Sequence, residues 1–338
     1  MSSIVADVVV DVQYGDCGKG KITHHLAREG NYTHVVRYNG GHNAGHTIYH
    51  EGKKFITHVI PCGVFFGIES VIGPGCVINP QRLLEEMAEL RDAGIDIDNL
   101  LSIAKNAHVI TDWHLAEDNK DKAIGTTKRG NGPAYRDKYG RKGVRAEQVP
   151  ELAEYLIDVY QEFHHNGEHD QVEILFEGAQ GFGLDVDWGD YPYVTSSHCT
   201  AGSALLNGVP PRAVRDVWGV AKIYETYVGA KDFEGPDEVF EDIRRVGQEF
   251  GATTGRPRQI NWLDYDMLKM ATRINGASKV VFNKMDVLEE VGSWCLYDGP
   301  NLYEFKTRED IETWLSSKLE IEVDKNIDVM FSGDKEFI

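Results

Sequence analysis

"VADVVVDVQYGDCGKGKITHHLA" (5–27) is the stretch whose reading decides the fold. Residues 5–12 form a Val-rich apolar run, as a strand in the middle of a sheet requires. Residues 13–20 form a glycine-rich turn, and "KITHHLA" can start a helix. A strand, such a turn and a helix N-terminus together make an anion site, because unpaired N–H groups and the helix dipole face the ligand. The spacing is not that of a P-loop, G-x-x-x-x-G-K-[ST]. Gly15 to Gly18 is too short, and no Ser or Thr follows Lys19. A carboxylate, Asp16, stands inside the loop instead. The bland alternative is a tight turn in which Asp16 caps the helix.

Short runs rich in Val and Ile recur at 33–38, 71–78, 172–178, 217–224, 279–284 and 327–333. Helical patterns lie between them at 79–94, 150–165, 237–250 and 308–320. In the first of these Asn79 is the expected N-cap and Gly94 the stop. Alternating strands and helices predict an α/β fold with a large, mostly parallel, doubly wound sheet and helices on both faces. Without repeats or a clear linker, residues 1–338 read as one domain, with the polar, basic 105–150 stretch a candidate inserted subdomain.

The net charge of −19 over 338 residues argues against nucleic-acid or membrane-surface partners, which are polyanions. Anionic ligands need local basic clusters, and residues 120–145 supply one, with nine Lys/Arg against Asp121 and Asp137. The five cysteines are scattered without a C-x-x-C, which reads as reduced thiols rather than a disulfide frame or zinc site. No signal peptide opens the sequence and no run reaches the ~18 apolar residues of a membrane span, so a cytoplasmic protein is expected.

Further motifs carry chemistry. "NGGHNAGHT" (39–47) brings Asn43, His42 and His46 together on a glycine-rich turn, a setting for a proton donor or a phosphate-stabilising cation. "FNKMD" (282–286) contains N-K-x-D, whose Asp can accept from guanine N1–H and the 2-amino group together. "GATTGRPRQINW" (251–262) sets Arg256 and Arg258 two apart, as carboxylate or phosphate recognition needs. The 124–145 stretch is a natural seat for a second phosphate, and 177–198 offers Gln180 and Thr195 to a neutral ligand.

Taken in this order, from residue 5 to "FSGD" (331–334), the motifs resemble the adenylosuccinate synthetase family in its short form. The resemblance implies a homodimeric GTP- and Mg²⁺-dependent ligase that joins L-aspartate to the 6-oxo position of a purine monophosphate. It implies Asp16 as general base and magnesium ligand, with the Gly45 carbonyl as a second ligand, and His46 and Gln180 as further catalytic residues. GTP would lie on Gly15, Gly18, Lys19, Gly20, Lys21 and Thr47, with Arg258, Lys284, Asp286, Ser332 and Gly333 at its guanosine. The monophosphate would meet Asp16, Lys19, Asn43, Thr127, Gln180, Thr195 and Arg256, with Arg141 reaching in from the partner subunit. Aspartate would take Ala252, Thr253, Thr254, Gly255, Arg256 and Arg258.

Five positions depart from the family pattern: Cys17 for a Glu, Asn131 for an Ile, Tyr227 for an Arg, and Pro257 and Gln259 inside an arginine run. A related bacteriophage branch uses dGMP in place of IMP, and these departures tilt the expected substrate towards dGMP, with IMP as the alternative. A regulatory GTPase would need a true P-loop, and an NAD-dependent oxidoreductase a G-x-G-x-x-G; neither is present.

Overall fold

The computed structural model describes residues 3–121, 124–165, 167, 169–251 and 255–333. Nine strands form its main sheet: β1 (Ser3–Asp11), β2 (His34–Arg37), β3 (Glu69–Ile72), β4 (Leu101–Ala104), β5 (Leu156–Ile157), β6 (Gln171–Glu177), β7 (Val214–Lys222), β8 (Lys279–Asn283) and β9 (Asp328–Phe331). Their spatial order is β9-β8-β7-β1-β6-β2-β3-β4-β5, and every pairing is parallel. β1 sits in the middle, and both its faces are covered. Val8, Val10 and Val12 join one buried cluster, while Val9 joins a second with Ile22, Val35 and Leu175. This alternation is the period-two side-chain pattern of a strand, and it explains why valines occur at both odd and even positions of 5–12.

The helix at Pro80–Asp92 follows its expected caps: the Asn79 side chain accepts from Arg82 N at 3.1 Å, and Leu83, Met87 and Leu90 are buried. The expected 150–165 helix is instead broken. Pro150–Tyr155 is a 3₁₀ turn, Leu156–Ile157 pairs with β4 as the edge strand, and a helix restarts at Val159–His165. Asp158 causes the restart, since its Oδ1 accepts from Tyr160 N (3.0 Å) and Gln161 N (3.3 Å). The run at 217–224 also divides at Ile223. Tyr224–Tyr227 leaves the main sheet for a four-stranded one with Gln259–Asp264, Trp294–Asp298 and Asn301–Phe305. Within 105–150, the Asp112–Asp118 and Asn131–Tyr139 helices lie together, and Val77, Ile110, Ala134 and Tyr135 form a small core there.

Candidate active site

In an all-parallel sheet the C-terminal strand ends lie on one side. From β1 the chain winds outward through β2 to β5, returns as β6 beside β1, then winds the other way through β7, β8 and β9. Ligands of such sheets bind beyond the strand ends where the winding reverses. The segments after β1, β2, β6, β8 and β9 are those carrying 13–22, 39–47, 178–198, 284–286 and 332–333.

Asp11, the last residue of β1, organises the first loop. Its Oδ1 accepts from Gln13 N (3.0 Å) and Gly15 N (3.1 Å), and its Oδ2 from Cys17 N and Lys19 Nζ (both 3.1 Å). Helix α1 (Lys19–Glu29) starts after Gly18, so Asp16 does not cap it. Gly18 adopts φ 97°, and a Cβ there would lie 2.8 Å from Asn283 Nδ2, so the position needs glycine. Asn283 Nδ2 donates to Cys17 O at 2.8 Å. Lys21 Nζ donates to Ser332 Oγ (2.7 Å) and Gly333 O (2.5 Å), and Lys19 Nζ also to Gln180 O (2.5 Å). The glycine loop, the N-K-M-D turn and the 332–333 turn are thereby one hydrogen-bonded unit.

Asp16 projects from this loop with φ 57° and 43% of its side chain exposed. Its Oδ2 meets Arg258 Nη2 at 2.9 Å and Nε at 3.1 Å. Crowding by the loop pushes the carboxyl pKa up, but the charge of Arg258, with Lys222 and Lys19 behind it, outweighs this and holds it below the ordinary value. Arg258 is itself clamped by Glu249 (Nη1 to Oε2, 2.5 Å), which is fully buried. Glu249 in turn accepts from Lys222 Nζ (2.8 and 2.9 Å) and Tyr224 OH (2.7 Å). Gln13 joins the chain of contacts, bonding Lys222 O and N. Removing one charge of so buried a pair costs about 3–5 kcal/mol, so Glu249 and Lys222 fix where Arg258 can reach.

His46 is buried at the start of a hairpin (His46–His50 with Lys53–Thr57) and packs beneath Gly20. Its Nδ1 lies 2.5 Å from Glu177 Oε1, and its Nε2 lies 3.0 Å from Arg37 Nη1. Arginine can only donate, so Nε2 accepts and Nδ1 carries the hydrogen given to Glu177. Glu177 also meets Arg37 Nη2 at 2.9 Å and accepts from Cys62 N at 2.9 Å. Burial and the charge of Arg37 hold the imidazole neutral down to about 4. For Glu177, burial opposes ionisation, but Arg37 and His46 bring its pKa down to about 2. His42, whose burial lowers it to about 3, is likewise neutral.

These values carry a pH prediction. Folded His42 and His46 bind protons less readily than unfolded histidine at 6.5, so stability is constant above that pH and falls as pH drops towards 4. Glu177 adds a second loss below 4.5. The expected loss between pH 6.5 and 4 is on the order of 3 kcal/mol per histidine, read as a falling urea midpoint, and His42→Asn should flatten it. A midpoint unchanged down to pH 4.5 would contradict the neutral buried imidazoles.

The remaining residues singled out from sequence fall as follows. Asn43 Oδ1 accepts from Gly41 N (3.2 Å) and from Asn131 Nδ2 (2.8 Å), while Asn131 Oδ1 is buried with no hydrogen-bond partner. Gln180 adopts φ 58°, and its buried Oε1 is also unpartnered, directly over Gly40. Lys284 adopts φ 68°, with Nζ donating to Gly247 O at 3.2 Å. Asp286 Oδ1 is buried beside Gly333 with no partner among the described residues. Non-glycine residues in this conformation cost on the order of 1–3 kcal/mol and gather at functional sites. Thr195 N donates to Leu184 O, and Gly45 and Thr47 are half-buried. Thr127, Arg141, Gly255 and Arg256 are exposed, and Arg141 has φ 60°. Ala252, Thr253 and Thr254 lie outside the described residues.

Two of these departures, Cys17 and Tyr227, face away from the site. Cys17 is buried with its thiol donating to Gln13 Oε1 (3.0 Å), so it opens no space beside Asp16. Tyr227 is buried against Tyr14 and Phe233. Sequence reasoning passed over Asp11, Arg37, Glu177, Lys222 and Glu249. For the first four the signal was available: each is an ionisable residue ending an apolar strand.

The adenylosuccinate synthetase family model matches residues 8–154 and 146–295. The chain belongs to the adenylosuccinate synthetase family. It is thus a carbon–nitrogen ligase of the GTP-dependent type. It is 40% identical to the adenylosuccinate synthetase of Shouchella clausii over 340 aligned positions, covering 85% of this chain and 78% of that one. The Leuconostoc citreum enzyme is 38% identical, with 91% and 84% covered. Among solved structures, the fully ligated adenylosuccinate synthetase from Plasmodium falciparum is similar with a TM-score of 0.82, 29% identity and 96% of both chains covered. A cyanophage S-2L succinoaminodeoxyadenylate synthetase, bound to dGMP and dATP as an energy donor, is similar at 0.70, with 25% identity and 93% and 99% covered. No helix among the described residues is long and apolar enough to cross a membrane.

Proposed function

We propose that this adenylosuccinate synthetase condenses L-aspartate with dGMP, using GTP, to give the 2-amino-2′-deoxy analogue of adenylosuccinate. Asp16 takes the proton from purine N1, the 6-oxygen so activated attacks the γ-phosphate of GTP, and the aspartate amine then displaces phosphate from C6. His46 and Gln180 flank the transferring group. Asp16 is a weak base while Arg258 holds it; a substrate carboxylate that draws Arg258 away leaves desolvation to raise its pKa. The Asp16 carboxylate and the Gly45 carbonyl give an oxygen-only donor set of the kind magnesium takes, and the ion would supply charge neutralisation at the GTP phosphates.

One observation carries the choice of purine. Asn131 puts a buried acceptor without a partner next to Asn43, at the loops assigned to the monophosphate. Guanine offers a 2-amino donor and hypoxanthine has none. An acceptor left unpaired with IMP costs about 1–3 kcal/mol. Similarity to the dGMP-bound cyanophage enzyme supports this reading, while the higher TM-score against the Plasmodium enzyme favours IMP. Turnover of dGMP, GMP and IMP side by side decides. The expected order is dGMP first, with the others at least about tenfold slower in kcat/KM; IMP fastest with dGMP inert overturns it.

We further infer a homodimer in which Arg141, exposed after the Asn131–Tyr139 helix, completes the partner's site. Inactive Asp16→Asn and Arg141→Ala chains, mixed with subunit exchange verified, should regain activity, because one hybrid site carries neither lesion. No recovery would assign Arg141 to its own subunit.

A further inference from the structure

At the opposite, N-terminal edge of the sheet, four side chains converge that the ligase chemistry does not use. His34 opens β2, and Glu69, its register partner, opens β3. Glu162 comes from the Val159–His165 helix below them, and His169 from the segment that follows it. His34 Nε2 lies 3.2 Å from Glu69 Oε2 and 3.4 Å from Glu162 Oε1, and His169 Nε2 lies 3.8 Å from Glu69 Oε1. The ligating atoms of His34, Glu69 and Glu162 all lie within 4.8 Å of one another. His34 is fully buried, and the two carboxylates are partly so.

The hydrogen bonds fix which nitrogen of His34 faces the carboxylates. A hydroxyl has one hydrogen, and that of Thr33 goes to Glu173 O at 3.0 Å. At 2.8 Å from Thr33 Oγ1, His34 Nδ1 is then the donor. The Nε2 edge of His34 therefore faces two carboxylates, an arrangement that calls for positive charge there, carried by a proton on Nε2 or by a bound cation. Tetrahedral zinc bonded at its usual N and O distances separates neighbouring ligand atoms by about 3.4 Å, close to the spacings here. The donated Nδ1–H is the orienting outer contact that metal-binding histidines make. Two carboxylates also match the charge of a divalent ion.

We propose that His34, Glu69 and Glu162 form a zinc site, its fourth position open to water or to His169 beside Glu69, that ties β2, β3 and the helix before β6 together, remote from the ligase centre. The cysteine spacing gave no sign of it, since the ligands are histidine and glutamate. Full-length protein stripped with EDTA should bind one equivalent of Zn²⁺ in calorimetry at pH 7.5. Binding should weaken at least 100-fold in E69Q/E162Q, which keeps side-chain volume. Saturating zinc should raise the melting temperature of the wild type by about 3 °C or more and leave that of the double variant unchanged. Ligase turnover with magnesium should be the same in both. Cobalt in place of zinc should give the visible absorption of a four-coordinate ion, reporting geometry even if a variant folds poorly. A wild type that binds zinc no more tightly than E69Q/E162Q, or cobalt spectra of an octahedral aquo ion, overturns the site and leaves the cluster as a protonated histidine between two carboxylates.

Discussion

Asp16→Asn leaves nucleotide binding nearly intact and abolishes turnover. The amide keeps the volume, and asparagine tolerates the left-handed conformation that Asp16 adopts, so the loop keeps its shape. The hydrogen bonds that build the loop belong to Asp11, and Glu249 still holds Arg258. What disappears is a group able to accept the N1 proton. General bases contribute about 10²–10⁴-fold, and loss of a magnesium ligand adds to that. The measurement pairs steady-state kcat with equilibrium binding of GTP. More than a tenth of wild-type turnover would remove Asp16 from the base role; lost GTP binding would make it structural.

Asp286→Asn erases the choice between GTP and ATP. The wild-type carboxylate has one oxygen buried beside Gly333 with no donor among the described residues. Guanine supplies N1–H and a 2-amino group to such an oxygen, whereas adenine turns a lone pair towards it. A buried charge left unpaired costs several kcal/mol, so the wild type should prefer GTP at least ~100-fold, about 2.7 kcal/mol. The amide, which can both donate and accept, should bring the two nucleotides within about tenfold. The comparison is informative because the related cyanophage structure holds dATP as energy donor. Equal use of ATP by the wild type would make the N-K-M-D match accidental.

Much of this architecture was legible in the sequence because it depends on local pattern. The apolar run at 5–12, the glycine turn and the helix after it follow from side-chain period and backbone freedom alone. What stayed hidden depends on partners distant in sequence. Leu156–Ile157 is a strand because β4 has an open edge, although its neighbours read as helical. Asp11 ends a strand and looked like one more boundary residue; only the loop folded over it reveals four donors. Cys17 adjoins Asp16 in sequence, yet the turn sends its thiol inward to Gln13. Neighbours along a turn need not share a face. Asn131 stood out as a polar residue in an apolar place, but its orphaned oxygen depends on Asn43, 88 residues away.

The placement of β1 has a consequence for biosynthesis. Its two neighbours are β6 and β7, so β1 leaves the ribosome well before the partners that end at Glu177 and Lys222 and waits for them. At translation rates of about 5–20 residues per second, that wait lasts roughly 10–40 s, with both strand edges and the Val-rich faces uncovered. A nascent chain in this condition is a natural client for holding chaperones. The ties from Lys21 close later still, since Ser332 lies 311 residues further along the chain. A chain interrupted before Ser332 therefore lacks the contacts that tie Lys21 to the 332–333 turn.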